Sequence, residues 1–180
     1  AALNLSPIFV KLGASQSEFL RAADSISAEQ WTEKPSAEEW SAAEVVAHLI
    51  MVESAIVGSA DRMMQKKARP VSFWKRMHLP LRLAEMRLLR LKTPIPVDPT
   101  FIKNKEEMLS ELRSTRERAL AFLAETQNRD LSGYSWNHPF LGRLNTYEWF
   151  GLIAAHQVRH TKQVKEIAEW LKTQKDVRNK

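Results

Sequence analysis

The chain has 180 residues, 44% of them hydrophobic, and a net charge of +6. That length allows one domain, residues 1–180, with a sizeable core, and the absence of cysteine excludes a disulfide framework, a thiolate metal site and a cysteine nucleophile. No run of about 18 apolar residues exists and no secretory signal is visible, so no membrane span is expected and a cytoplasmic location is the expectation; a leader removed before Ala1 stays open.

Four long segments carry helical periodicity. The first covers residues 7–25, with Ile8, Phe9, Leu12, Phe19, Leu20 and Ala23 on one stripe. Ser6 is the expected N-cap, with Pro7 at the first helical position. The second covers residues 42–67. Ser41 and Glu44 have capping-box spacing, and Trp40 is placed to pack on Val45 as a hydrophobic staple. Its inner stripe is Val45, His48, Leu49, Val52 and Ile56.

A long connection follows, over residues 69–101, with a candidate helix at 81–91. From Pro70 to Lys92 it carries Lys75, Arg76, Arg82, Arg87, Arg90 and Lys92 against Glu85 alone. Such a run reads as a solvated face on a connecting segment. No nucleic-acid reading motif accompanies it, so no nucleic-acid partner is expected. The third helical segment covers residues 105–126, capped by Asn104 with Glu107. Met108, Leu109, Leu112, Ala119, Leu120 and Leu123 form its inner face. Residues 128–144 are rich in turn formers and show no alternating pattern, so no strand is expected. The fourth helix covers residues 146–173, with Asn145 and Glu148 as a second capping box. Its stripe is Trp149, Ile153, His156, His160, Val164, Ile167 and Leu171. Four long helices with one long crossover indicate an all-α four-helix bundle.

His156 and His160 are four residues apart, so their imidazoles leave one helix face a turn apart. His48 lies on the inward stripe of the second helix. An inward histidine costs desolvation unless it has a partner. Three converging imidazoles can share a divalent metal such as zinc, nickel or iron, leaving a position open for substrate. The competing reading is three separate core histidines, each bonded to a carbonyl or carboxylate. Glu53 is about 140° around the helix from His48, which argues against a direct fourth ligand. Arg159 and Gln163 flank His160, placed to orient a ligand or to contact a substrate anion. His78 and His138 fall in irregular segments, although His138 can reach a site mouth. Trp40, Trp136 and Trp149 are core or capping residues that can also line a pocket.

Several blocks together resemble the DinB/YfiT-like superfamily of metal-binding four-helix bundles. Glu39-Trp40-Ser41-Ala42-Ala43-Glu44-Val45-Val46-Ala47-His48-Leu49 resembles that family's approach to the second helix and its ligand histidine. Leu141-Gly142-Arg143-Leu144-Asn145-Thr146-Tyr147-Glu148-Trp149 resembles the approach to the last helix. His156-Gln157-Val158-Arg159-His160 resembles the paired-histidine motif, followed by Gln163. The resemblance implies an up-up-down-down bundle and a divalent metal held by His48, His156 and His160. It also implies metal-dependent hydrolase chemistry, or transfer to a low-molecular-weight thiol such as mycothiol or bacillithiol. With no cysteine in the chain, that thiol would be a cosubstrate, with Arg159 holding its carboxylates. The expected partner is a small-molecule substrate, and a homodimer is the assembly to test for. The competing function is a metal-binding or stress-associated interaction protein without turnover.

Overall fold

The computed structural model of the chain describes residues 4–68 and 99–178. The four expected helices are present: α1 over Ser6–Asp24, α2 over Ala42–Met64, α3 over Lys105–Glu125 and α4 over Thr146–Arg178. Two short strands, β1 over Ser135–His138 and β2 over Gly142–Asn145, lead into α4, and a 3-10 turn spans Pro99–Phe101. The candidate helix at 81–91, the basic run and His78 lie outside the described residues.

The capping signals act as chemistry requires, with one exception. Ser41 Oγ accepts from the Glu44 N–H at 3.2 Å, and the Glu44 carboxylate accepts from the Ser41 N–H at 2.7 Å. Asn104 Oδ1 accepts from the Glu107 N–H at 2.9 Å. Asn145 and Glu148 make the same reciprocal pair at 3.0 and 2.7 Å. Each cap satisfies N–H groups that have no partner inside the helix. The exception is Ser6, which is the first helical residue rather than the cap. The Asn4 side chain takes the Ser6 N–H at 3.0 Å, and α1 starts one residue early. Pro7 still sits in the first turn, where a missing N–H costs nothing.

The expectation of no strand is corrected. β1 and β2 pair antiparallel, Ser135 with Asn145 and His138 with Gly142. The two strands are four residues each, too short to display an alternating pattern. Gly142 has φ of 77°, a left-handed conformation that glycine adopts without a Cβ penalty. The hairpin packs on the start of α4, where Trp136 stacks on Trp149 with centroids 5.0 Å apart.

Apolar side chains gather in two core layers. One holds Phe19, Val45, Leu112 and Val164; the other holds Leu12, Ile56, Leu123 and Phe150. A buried Leu or Phe contributes about 1.5–3 kcal/mol of transfer free energy, so the helices associate for apolar reasons alone. The layers also fix direction. Helices α1 and α4 run from the second layer to the first, whereas α2 and α3 run from the first to the second. The bundle is therefore up-down-down-up, which corrects the up-up-down-down order. The α1–α2 linker turns the chain back, while the long α2–α3 connection lets two parallel helices follow one another. Helix α2 is long and apolar enough to cross a membrane, but half of that stretch is buried against its neighbours.

Candidate metal centre

His48 enters the site from α2, and His156 and His160 from α4. The two helices run antiparallel past each other, so one turn of α4 faces a single position on α2. His48 is 3% exposed and His160 6%, while His156 retains accessible surface. The ligand atoms of all three lie within 4.8 Å of one another. His156 Nε2 is 3.2 Å from His48 Nε2 and 3.1 Å from His160 Nε2.

Those two distances carry a contradiction for a closed protein. A neutral ring nitrogen holds either a proton or one lone pair. His156 Nε2 cannot donate to one neighbour and accept from the other. With three neutral rings, at most one of the two contacts is a full hydrogen bond, and the other is the weak arm of a shared proton or a contact between like groups. Nor is protonation an easy escape. Burial pushes the His48 pKa down to about 4. The His156 pKa is pushed well down, first by burial and then by the charges of His160, His48, Arg159 and His138. A shared cation relieves all three nitrogens at once. The spacing fits as well, because zinc–nitrogen bonds of about 2.0–2.1 Å in a tetrahedral site place the nitrogens about 3.3 Å apart.

The surroundings hold the rings in place. Gln163 Oε1 lies 2.8 Å from His160 Nδ1, one turn along α4. With that nitrogen as donor, the His160 Nε2 lone pair faces the other two rings. Trp40 stacks on His160 at 6.2 Å and 13° and tilts against His48 at 5.0 Å. Its place is thus against the histidines, and it shields one side of the cluster from water. His48 Nδ1 is buried and has no hydrogen-bond partner among the described residues.

The remaining sequence candidates divide. Arg159 is close enough for its charge to oppose protonation of His156. His138 reaches the same neighbourhood from the hairpin, resting 5.2 Å from the Trp149 ring. Its Nδ1 accepts from the Phe140 and Leu141 N–H groups at 3.0 and 3.1 Å, which fixes the ring. Glu53 takes no part in the histidine cluster. It is 3% exposed and pairs with Arg116 of α3 at 2.6 Å. Arg116 was not singled out by sequence reasoning, although a signal existed. It stands four residues after Leu112 and three before Ala119, on the apolar stripe of α3.

Comparison with known proteins places these features in a family. The sequence profile of the DinB superfamily matches residues 11–164, a span that includes all three histidines. YuaE of Bacillus subtilis (strain 168), an uncharacterized protein, is 32% identical over 146 residues, covering 80% of this chain and 86% of YuaE. The crystal structure of TT2238, described as a four-helix bundle protein, superposes with a TM-score of 0.59 at 20% identity. The match covers 91% of this chain and 99% of TT2238. At that identity the likeness concerns the fold.

Proposed function

The chain belongs to the DinB superfamily, and from that premise we propose that it is a metal-dependent enzyme whose divalent ion is held by His48, His156 and His160. The observation that carries the proposal is the convergence of three ring nitrogens within 4.8 Å, with His156 Nε2 at 3.2 and 3.1 Å from the other two, contacts that neutral imidazoles cannot both make as full hydrogen bonds. Zinc, nickel and iron all suit an all-imidazole donor set. Once bound, such an ion supplies a nucleophile near neutral pH by lowering the pKa of a thiol or a water molecule.

The protein's own groups do the rest. Gln163 orients His160, and Trp40 keeps water from one side of the cluster. His156, the most accessible of the three, marks the side from which a substrate can approach. Arg159 supplies a positive charge beside that approach, suited to the carboxylates of a low-molecular-weight thiol. Thiol transfer is the reading we adopt, with the thiol as cosubstrate because the chain has no cysteine.

Metal analysis of the purified protein and of a His156→Ala/His160→Ala variant tests the site. One ion per wild-type chain and loss of that ion in the variant are expected; unchanged stoichiometric binding in the variant refutes the site. Turnover of electrophiles and esters by the metal-loaded protein, with and without added thiol, tests the chemistry. Thiol-dependent turnover supports transfer. Equal turnover without thiol replaces it with hydrolysis, and silence across both panels favours metal binding without catalysis.

A further inference from the structure

Beside the histidines lies a second buried polar cluster, built on Arg116. All five of its N–H groups are spoken for. Nε donates to Glu53 Oε1 at 2.6 Å and Nη2 to Glu53 Oε2 at 3.0 Å. Nη2 also donates to Gln157 Oε1 at 2.8 Å. Nη1 donates to the Leu12 carbonyl and to Ser15 Oγ, the latter at 3.4 Å. Arg116, Glu53, Ser15 and Gln157 are each at most 3% exposed. One guanidinium thus binds all four helices: α1 through Leu12 and Ser15, α2 through Glu53, α3 through its own backbone and α4 through Gln157.

Stability does not account for such a cluster. Removing two opposite charges from water costs about as much as their attraction returns, and apolar residues of similar volume commonly serve as well or better. What a buried, directional network does supply is register. Its position is telling here. Gln157 is the neighbour of His156 in sequence, and Glu53 follows His48 by five residues. The network therefore ties α2 to α4 at the level where the three imidazoles must meet. A slip of one residue moves a helix by about 1.5 Å along its axis, enough to part the His48 and His156 ring nitrogens, which stand 3.2 Å apart across the two helices. The planar fork of Arg116 tolerates no such slip, because its two bonds to Glu53 and its bond to Gln157 must all keep their directions.

We infer that Glu53, Arg116 and Gln157 are positioning residues for the histidine site, holding α2 and α4 in the register that brings His48 to His156 and His160. The inference rests on the proposed metal site, and its test separates the two. Cobalt(II) serves as probe, with affinity read by competition against a chelator and geometry read from its visible spectrum. The principal variant is Glu53→Leu/Arg116→Met, which removes both charges together and keeps the core filled. Its metal-free form is expected to melt within a few degrees of the wild type. Its cobalt affinity is expected to fall by about tenfold or more, the usual effect of losing groups that orient metal ligands, with an altered spectrum. Unchanged affinity and spectrum overturn the inference and leave the metal site standing. Should the double variant not fold, Arg116→Lys keeps the charge but loses the fork. Weaker cobalt binding by a folded Arg116→Lys protein supports the inference, and wild-type affinity overturns it. Cobalt that binds the wild-type protein without involving the histidines, shown by equal affinity in His156→Ala/His160→Ala, overturns the metal reading and the positioning role together.

Discussion

Two polar clusters are buried in this bundle a few residues apart, and they differ in one respect. The Arg116 cluster is closed: each guanidinium N–H has an acceptor within the chain, and Gln157 passes its own amide N–H on to Gln16 at 3.1 Å. The histidine cluster is open: three ring nitrogens face one another and cannot all be paired at full strength. Burial alone therefore does not mark a functional group. A buried polar set that is complete fixes how the helices are registered, and one that needs something from outside marks a site.

The largest expected effect breaks the closed cluster. Arg116→Met alone leaves the Glu53 carboxylate buried without its partner, which costs about 3–5 kcal/mol. A lower urea midpoint measures it, and adding Glu53→Leu should recover most of the loss. If the single change is nearly neutral, the cluster is wetter than its burial indicates and the contrast with the histidines fails.

A smaller effect reads the open cluster. The folded-state pKa of His48 is near 4, below the ordinary 6.5. As pH falls from about 6.5 to about 4, the unfolded chain takes up a proton that the folded chain refuses. Metal-free protein should therefore lose stability through that window, by up to about 3 kcal/mol for His48, with His156 acting in the same direction. Below the folded pKa the loss levels off. Urea midpoints across the window check this, and His48→Gln should flatten the slope. A bound ion competes with protons for the same nitrogens, so saturating metal should carry full stability to lower pH. A slope that survives His48→Gln unchanged would assign the pH response elsewhere.

The smallest effect sharpens the boundary between the clusters. Gln163 touches His160 at 2.8 Å and has no link to Arg116 among the described contacts. Gln163→Leu should lower metal affinity about tenfold while leaving the metal-free melting temperature nearly unchanged. Titration with a competing chelator measures the first and thermal unfolding the second. A large loss of metal-free stability with intact affinity would place Gln163 with the structural cluster.

What could be read from the chain alone follows a physical divide. Helix spans and caps are local: Ser41 with Glu44, Asn104 with Glu107 and Asn145 with Glu148 are three residues apart and form as their spacing requires. The pairing of His156 with His160 is local too, because helix geometry puts residues four apart on one face. His48 could be placed on an inward stripe by periodicity, but its meeting with α4 depends on how two helices slide past each other. The direction of each helix was not legible either, since links of 17 and 20 residues on either side of the crossover are long enough for either order.

The Arg116 cluster was not legible for a further reason. Arg113, Arg116 and Arg118 are alike in composition, and only the middle one is buried, on a stripe whose partners are Glu53, Ser15 and Gln157, each at least 41 residues away in the chain. The hairpin was hidden for a related reason, since four-residue strands are stabilised by their cross-strand partners and by Trp149 rather than by any pattern of their own. The helices, their caps and the histidines able to face inward follow from bonds and turns within a few residues, and so are written in the order of the residues. Which buried polar groups find partners and which are left open emerges only from the packed bundle, because it depends on the chemistry of residues brought together from all four helices.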